Sequence, residues 1–268
     1  MKYMSNNQRN SFFLNFYKYR RYMFYNAWYE LRHRYAGTGI GILWNVISPL
    51  FEIIIYTIVF SLLIPNKIEG NSYSLYLMAA LLPWRGFTET IVQGSDAFFK
   101  NAIYLRRLAI PSEIFVGKVT LASLFLVYIY LGLIILITPL FGKDLGWNIL
   151  FLPIVGLLFQ GLAFGMSLAL ANLQILFPDI KQILQFIIPL WSWTIPIYYP
   201  TSIIPDRFLP WLYANPPYAF IKSFRDLVLE DRIPDLNIWV IMIGWIASFV
   251  WLGANINDKL QSEVRDRI

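Results

Sequence analysis

The feature that most constrains this chain is a nearly unbroken apolar run at residues 46–64, directly after a basic and aromatic segment. At about 1.5 Å per residue, a helix of this length matches the roughly 30 Å hydrocarbon core of a bilayer. The preceding segment, residues 29–35, places Arg32 and Arg34 among tyrosines, and such residues anchor the cytoplasmic end of a spanning helix. The sequence therefore predicts a helix that starts on the cytoplasmic side and crosses the membrane.

Apolar runs of similar length recur along the chain. Hydrophobic residues make up 57% and charged residues 14% of its 268 positions, whereas a soluble domain has about a quarter of its residues charged. The runs exceed the roughly ten-residue strands of a membrane β-barrel, so the predicted fold class is an all-α polytopic membrane protein. Pro83 interrupts the second run, and Pro189 and Pro196 are expected to break the fifth. Six membrane-spanning helices are predicted, at residues 41–64, 75–95, 113–138, 149–172, 181–199 and 236–254.

The distribution of positive charge orients these helices. Fifteen lysines and arginines fall in the two termini and in the loops on the same side, against six on the opposite side. Because cytoplasmic loops are enriched in Lys and Arg, both termini are expected in the cytoplasm. The basic residues lie between apolar runs rather than in one module, so the net charge of +6 indicates membrane orientation and no nucleic-acid partner.

The segments outside the spans also carry apolar patterns. We divide the chain into a cytoplasmic or interfacial segment (1–40), a six-span transmembrane domain (41–254) and a cytoplasmic tail (255–268). The first segment mixes aromatic and basic residues, which is typical of an amphipathic helix lying on the membrane. Residues 200–235 are rich in proline and apolar side chains, which favours short helices re-entering the outer leaflet between spans five and six.

Groups for catalysis are sparse. The chain has no cysteine, and its single histidine, His33, has no second histidine for a metal site or a catalytic triad. The ATP-binding pattern GxxxxGK[ST] is absent, and its nearest fragment, residues 117–120, lacks the leading glycine. The chain is therefore expected not to be an enzyme and to carry no metal or cofactor of its own. If ATP drives its activity, ATP and Mg²⁺ bind to another chain.

Short motifs occur in a fixed order along residues 30–230. They comprise Arg34, Tyr35, Gly41 to Trp44, Pro49, Leu82 to Trp84, Asn101, Leu105, Pro111, Phe177 to Ile180, Pro196 to Tyr198, Asn215, Pro216 and Arg225. Each motif is weak alone, but together they resemble the ABC-2 type permeases that export polysaccharides. The resemblance is greatest to the membrane subunits of O-antigen and teichoic-acid exporters, followed by capsule exporters. Arg85 and Gly86 depart from the apolar aromatic residues that are usual in such permeases at these positions.

This resemblance implies a half-transporter in the bacterial inner membrane. Two copies would pair as a homodimer around a central pathway and bind two copies of a separate ABC ATPase, which would hold ATP and Mg²⁺. The substrate would be a polysaccharide on undecaprenyl pyrophosphate or a similar lipid. The amphipathic loop before the third span would be a coupling helix docked on the ATPase, although its pattern alone also fits a membrane-surface anchor. The coupling residues implied are Asn101, Tyr104, Leu105, Arg106 and Pro111.

Aromatic residues cluster toward the outer end of the predicted pathway. Sugar rings stack on aromatic faces, and tyrosine and tryptophan add a hydrogen-bonding edge. The same residues also fit an ordinary interfacial aromatic belt, so both interpretations stay open. The candidate pathway aromatics are Trp191, Trp193, Tyr198, Tyr199, Trp211, Tyr213 and Tyr218.

A lipid pyrophosphate needs cations and free backbone N–H groups. Arg32 and Arg34, ahead of a helix start that contains Gly39 and Gly41, would supply both. Positive-inside anchoring is the competing explanation for the two arginines.

Three charged residues, Glu52, Arg85 and Glu89, fall inside predicted spans. A charge at the bilayer centre costs about 2.5–3.5 kcal/mol on insertion scales, so each should face protein or water. Arg85 and Glu89 are four residues apart and can pair on one helix face, which favours a structural pair over a substrate site.

Other functions share parts of this pattern. An ABC-2 exporter of a drug, haem or small lipid would have similar spans but would not need the aromatic density. A membrane-embedded glycosyl- or acyltransferase would need a reactive histidine or paired acids. An ion-coupled flippase would use Glu52 and Glu89 as proton carriers. A co-purifying ATPase separates the ABC hypotheses from the other two.

Overall fold

The computed structural model describes residues 7–63, 72–108 and 110–267, and these form helices and turns without strands. The helices are α1 (Asn7–His33), α2 (Trp44–Leu63), α3 (Tyr73–Ser95), α4 (Ala97–Lys100), α5 (Ala102–Arg107), α6 (Glu113–Ile137), α7 (Leu152–Leu176), α8 (Ile180–Trp193), α9 (Leu209–Tyr213), α10 (Tyr218–Leu229) and α11 (Leu236–Arg267). The all-α prediction is confirmed for these residues. Residues 1–6 of the first predicted segment and residue 64 of the first predicted span lie outside them.

Four described helical stretches are long and apolar enough to cross a membrane: Gly41–Val59, Glu113–Phe141, Trp147–Leu176 and Leu236–Val264. They correspond to the first, third, fourth and sixth predicted spans. The second predicted span forms the 23-residue α3, which contains Pro83 and charged residues, and the fifth forms α8, which has only 14 residues. The described chain is thus a polytopic helical membrane protein, and the count of six crossings stays a prediction.

The central helix of the core is α3, which packs against α6, α7 and α10 and is buried along most of its length. Phe87 of α3 stacks on Phe159 of α7 with ring centroids 4.2 Å apart, and Phe159 stacks on Phe220 of α10 at 4.9 Å. Such pairs contribute about 0.5–1.5 kcal/mol beyond the burial of their surface. The stack therefore fixes α10 against the two helices beside it.

Glycines let α7 and α11 approach closely. A methyl group on Gly165 would lie 2.6 Å from the carbonyl carbon of Phe249, and one on Gly253 would lie 2.6 Å from the carbonyl oxygen of Gly165. A larger residue at either position would force the backbones apart. Small residues at helix contacts are how membrane helices gain close packing.

The fifth predicted span and the outer segment differ from expectation in detail. The helix α8 runs through Pro189 without a break and ends at Trp193, so the break expected at Pro189 is wrong, while Pro196 lies in the turns that follow. Short helices and turns form the outer segment, and α10 is almost wholly buried against α3 and α7. At the other end, α11 passes residue 254 and continues to Arg267, so no break separates the predicted tail.

The helices α2 and α8 lie at the edge of the packed core. Asn45, Pro49 and Ile53, spaced four residues apart, are the buried positions of α2 among those with described burial, and Ser192 is the buried position of α8. Large apolar side chains cover their outer faces, namely Phe51, Ile54, Ile55 and Ile58 on α2 and Ile183, Phe186, Ile187 and Leu190 on α8. In a membrane, such faces contact lipid or another protein chain.

Candidate functional site

Charged side chains on α2 and α3 form ion pairs between segments. Arg85 of α3 reaches Glu52 of α2, with 2.5 Å between Nη1 and Oε2, and Arg34, which follows α1, pairs with Glu89 of α3. Arg85 also donates a hydrogen bond of 3.3 Å from Nη2 to the hydroxyl of Ser48. The expected pair along α3, between Arg85 and Glu89, gives way to these two pairs because α2 brings a second carboxylate to Arg85.

These paired side chains are only partly covered by the rest of the chain, with exposed fractions between 19% and 37%. One helical turn beyond Glu52, Tyr56 is close enough to Glu52 and Tyr198 to interact with both electrostatically. Charges are costly against lipid, so this surface faces water or protein. We call it the polar stripe and define it as Arg34, Ser48, Glu52, Tyr56, Arg85 and Glu89.

Arg225 of α10 holds the irregular backbone that follows α8. Its guanidinium donates to the carbonyl oxygens of Pro196 (2.5 Å), Ile197 (2.9 Å) and Tyr76 (3.4 Å), and its central carbon lies 3.6 Å from the Tyr76 ring centroid. Arg225 is only 7% exposed. Because non-helical backbone at membrane depth has lost its own hydrogen-bond partners, a buried guanidinium is an effective substitute.

Two tyrosines at the start of α3 hold the same backbone from the other side. The hydroxyl of Tyr73 donates to the carbonyl oxygen of Tyr198 at 2.6 Å, and that of Tyr76 donates to Tyr199 at 3.2 Å. The turns after α8 are therefore fixed by residues more than a hundred positions earlier in the chain.

Trp191 is half-buried and packs against α3. Its ring meets Trp84 and Phe87 of α3 at centroid distances of 5.5 and 5.9 Å, and its Nε1 donates to Asn215 at 2.9 Å. Asn215 in turn donates to the hydroxyl of Thr194 at 2.9 Å. Asn215 thus joins the end of α8 to the loop before α10.

An aromatic cluster at the end of α8 consists of the exposed Trp193 and the half-buried Tyr198 and Tyr199. Trp193 is 60% exposed, and its ring lies 4.6 Å from that of Tyr198 at an interplanar angle of 34°. The hydroxyl of Tyr199 donates to the carbonyl oxygen of Trp193 at 2.8 Å. Trp193 and Tyr198 therefore present neighbouring ring faces on a braced turn.

The remaining predicted aromatics do not join this cluster. Tyr218 is 4% exposed and packs edge-to-face on Tyr213 at 5.1 Å, so both belong to the packing of α9 and α10. Trp211 is 72% exposed, and the structure does not bring its ring to the others.

Charged side chains cluster near the C-terminal end of α10. Asp226 is 1% exposed and accepts hydrogen bonds from Lys222 at 3.0 Å and from Arg232 at 3.1 Å. The hydrogen bond to Asp226 raises the pKa of Arg232. Glu230 is a second, more exposed partner of Arg232, at 3.2 Å.

The loop between α3 and α6 folds as the two short helices α4 and α5. Asn101 between them is buried, and its Oδ1 accepts a hydrogen bond of 2.8 Å from Lys118 of α6. Leu105 is 2% exposed and packs in a second apolar core with Phe98 and Phe115. This side chain therefore anchors α5 to its own chain, and its predicted role in coupling to a partner stays a prediction.

The opposite side of α5 is open. Its apolar side chains Ile103 and Tyr104 are 65% and 54% exposed, and Arg106 beside them is exposed too. Pro111, half-buried, ends the loop just before α6. We call the exposed side chains of Phe99, Ile103, Tyr104, Arg106 and Leu108 the α5 surface.

Buried polar contacts that the sequence did not indicate connect this loop to the helix ends around it. Asp96, between α3 and α4, accepts hydrogen bonds from Gln174 of α7 at 2.6 Å and from Lys181 of α8 at 2.8 Å. The side chain of Asn257 on α11 accepts one from Ser112, just before α6, at 2.9 Å. Their only signal in the sequence is a polar residue within or beside an apolar run.

The predicted pyrophosphate residues do not converge as expected. Arg34 is committed to its carboxylate partner on α3, and the N–H group of Gly41 already donates to the hydroxyl of Thr38 at 3.1 Å. Arg32 is exposed in the last turn of α1, and open space surrounds Gly39. Arg32 and the exposed glycine turn are the parts of this set that a ligand can reach.

The fold and this site define a polytopic membrane protein with a partly exposed polar surface on spanning helices and an exposed loop helix at their base. A family model for ABC-2 type transporters matches residues 21–229. The chain belongs to that family.

Similar proteins extend over nearly the same length. An O-antigen export system permease protein of Myxococcus xanthus is 23% identical over 94% of this chain and 97% of that protein. A protein of the same name from Klebsiella pneumoniae is 27% identical over 87% of this chain and 89% of its own. A polysialic acid transport protein of Escherichia coli is 22% identical over 83% of this chain and 88% of its own.

Proposed function

We propose that this protein is the permease subunit of an ATP-driven exporter that moves a lipid-linked polysaccharide out of the cytoplasm across a bacterial inner membrane. The observation that carries the proposal is the polar stripe on spanning helices of an ABC-2 chain whose relatives are named for polysaccharide export. Hydroxyl groups and paired charges offer both donors and acceptors, which a polyhydroxylated chain needs throughout its passage.

The exposed apolar faces of α2 and α8 support a homodimer. Pairing of two copies through these helices would cover the faces and bring two polar stripes to a shared pathway, as closed two-fold symmetry allows. In this arrangement α3 and α8 are the second and fifth crossings, both termini lie in the cytoplasm, and α9 and α10 form the re-entrant pair at the outer mouth.

The α5 surface supports docking to a separate ATPase subunit. Apolar side chains next to an arginine, on a short helix held by buried contacts, fit the centre of a protein interface. Two ATPase copies per dimer would bind ATP and Mg²⁺. The contacts of Asp96 with α7 and α8 would transmit movement of the loop to the helices of the pathway.

Affinity purification in mild detergent, followed by mass spectrometry of bound protein and lipid, tests this function. We expect an ABC ATPase and a polyprenyl-linked glycan to be recovered with the chain. A well-folded permease recovered without any ATPase would contradict the proposal. An ATPase recovered with haem, a drug or a small lipid in place of a glycan would support the alternative small-molecule exporter.

Truncation of the ring pair at the end of α8, Trp193→Ala with Tyr198→Ala, is expected to reduce export about 5- to 150-fold. Each lost sugar–ring contact should cost about 0.5–1.5 kcal/mol, as for aromatic pairs. The folded amount should change less, because Trp193 is largely exposed. The measurement is cell-surface polysaccharide per folded permease. Trp147→Ala, at an equally exposed tryptophan beyond α6, is the matched control, and an equal loss there would indicate a general aromatic belt.

The substitution Arg32→Lys tests the entry site. Lysine keeps the charge but loses the planar fork that grips two phosphate oxygens. We expect the concentration of lipid-linked substrate that half-maximally stimulates the ATPase to rise about 3- to 10-fold, with unchanged orientation in the membrane. Arg21→Lys, at an exposed arginine earlier in α1, is the control. Wild-type stimulation of the Arg32 variant would leave this arginine only a topological role.

A further inference from the structure

The charges of the polar stripe balance. It contains two arginines and two glutamates, and each arginine contacts one of the glutamates. Its other members, Ser48 and Tyr56, carry neutral hydroxyl groups. The one basic residue on α8 is Lys181. It forms an ion pair with Asp96, at the end of α8 that lies next to the loop between α3 and α6. The described surface of α2, α3 and α8 therefore offers no uncompensated cation deep in the membrane.

This balance matters because the stripe is accessible. About a third of the Arg85 and Glu52 side chains is exposed in the single chain, at positions near the middle of α2 and α3. Lipid is an unfavourable neighbour for them, and in the proposed dimer they face the pathway. A passing substrate would thus meet this ion pair directly.

We propose that Arg85 and Glu52 form a specificity-determining pair that suits the exporter to glycans whose sugar units are uncharged. The inference rests on the proposed function and adds the substrate class. Pathways for anions are lined by excess arginine and lysine, and this stripe has no such excess.

Hydroxyl groups and carboxylates meet this pair differently. A sugar hydroxyl can accept a hydrogen bond from the guanidinium and donate one to the carboxylate while the ion pair stays intact. A sugar carboxylate can form an ion pair with Arg85 only if Arg85 first separates from Glu52. That step would leave Glu52 without its cation and close to a second negative charge, so the two carboxylates would repel each other. Binding of an anionic sugar unit is therefore disfavoured, because it requires the ion pair to break and leaves Glu52 unpaired.

Two synthetic substrates separate these cases. Both are tetrasaccharides on the same polyprenyl diphosphate, one of hexoses and one in which every C6 hydroxymethyl is oxidised to a carboxylate. The assay is ATPase stimulation of the permease–ATPase complex in lipid nanodiscs. For the native complex, we expect half-maximal stimulation at a concentration about 10-fold lower for the neutral lipid, a discrimination of about 1.4 kcal/mol.

Charge variants should shift this preference in opposite directions. Glu52→Gln leaves Arg85 as an unpaired cation and should reduce or invert the preference for the neutral lipid by about 10-fold. Arg85→Gln leaves Glu52 unpaired and should strengthen the preference. Glu230→Gln removes a glutamate from another arginine pair, in the loop after α10, and should change nothing. A purely structural pair cannot produce shifts of opposite sign.

The outcomes that overturn the inference differ from those that overturn the function. Equal stimulation of the native complex by both lipids refutes the specificity pair but leaves a glycan exporter. Equal proportional losses for both lipids in the Glu52 and Arg85 variants assign the pair to packing alone and refute its role in selection. If neither lipid stimulates a complex that retains its ATPase, the proposed cargo itself is wrong.

Discussion

Replacement of both Ile103 and Tyr104 by Asp is expected to release the ATPase subunit from this permease. Both side chains project from α5, being 65% and 54% exposed, while Leu105 holds the helix to the body of the chain. Loss of a central interface anchor typically costs about 2 kcal/mol or more, so the loss of two should lower the affinity about 1000-fold. The measurement is recovery of the ATPase with the tagged permease, with surface polysaccharide as a second readout.

Two further variants make this result specific. Leu140→Asp with Ile203→Asp places the same charges on exposed apolar residues in the short segments that follow α6 and α8, and it should leave ATPase recovery unchanged. Leu105→Asp should instead lower the amount of folded protein, because that side chain is buried. Normal ATPase recovery and export by the Ile103 and Tyr104 variant would show that α5 is a membrane-surface anchor.

The existence of most helices could be predicted because apolar runs of spanning length leave few alternatives in a membrane. The predicted span 113–138 became α6 at Glu113–Ile137, an agreement within one residue. Helix ends were less predictable where distant residues determine them. Pro189 stays within α8, whereas the helix ends at Trp193, where Asn215 contacts Thr194.

The partner of Arg85 could not be predicted from the spacing of charged residues along one helix. Arg85 and Glu89 are correctly placed for contact along one helix, yet α2 approaches α3 and offers Glu52 to Arg85 instead. Which side of α5 faces outward was equally undetermined. Six residues are too few for a clear amphipathic pattern, so packing against α6 and α11 decides that Leu105 turns inward and Tyr104 outward.

The candidate pathway aromatics could be predicted only as a region of the sequence, because their individual contacts were not visible there. The sequence shows seven aromatic residues near one end of the pathway, but hydrogen bonds and ring contacts sort them into different roles. Trp191 packs on α3 and Tyr218 on Tyr213, while Trp193 and Tyr198 remain at an accessible turn. That turn keeps its shape because Arg225 donates hydrogen bonds to its carbonyl groups. Substitution of Arg225 should therefore have a large effect on both stability and export.

The substitution Arg225→Gln is expected to collapse the turn after α8 and to abolish most export. The guanidinium satisfies two carbonyl groups of the turn, donates a weaker bond to the helical carbonyl of Tyr76 and covers the Tyr76 ring, and glutamine is too short to reach them together. Each of the two turn carbonyls left without a donor costs about 1–3 kcal/mol, so a total loss of about 2–6 kcal/mol in unfolding free energy is expected. Thermal unfolding in nanodiscs and polysaccharide export measure the two consequences.

Arg232→Gln is the matched control for this loss. Arg232 bonds to the buried carboxylate of Asp226 at the far end of α10, but Arg232 itself is 48% exposed and Asp226 keeps Lys222 as a second partner, so water replaces much of what is lost. Exposed ion pairs contribute about 0–1 kcal/mol, and export should be nearly normal. Arg225→Lys should fall between the two, because an ammonium group keeps the charge but cannot reach three carbonyls in one plane. If Arg225→Gln proved as stable and as active as Arg232→Gln, the turn would be held by Tyr73 and Tyr76 alone, and the buried guanidinium would have no part in shaping the exit.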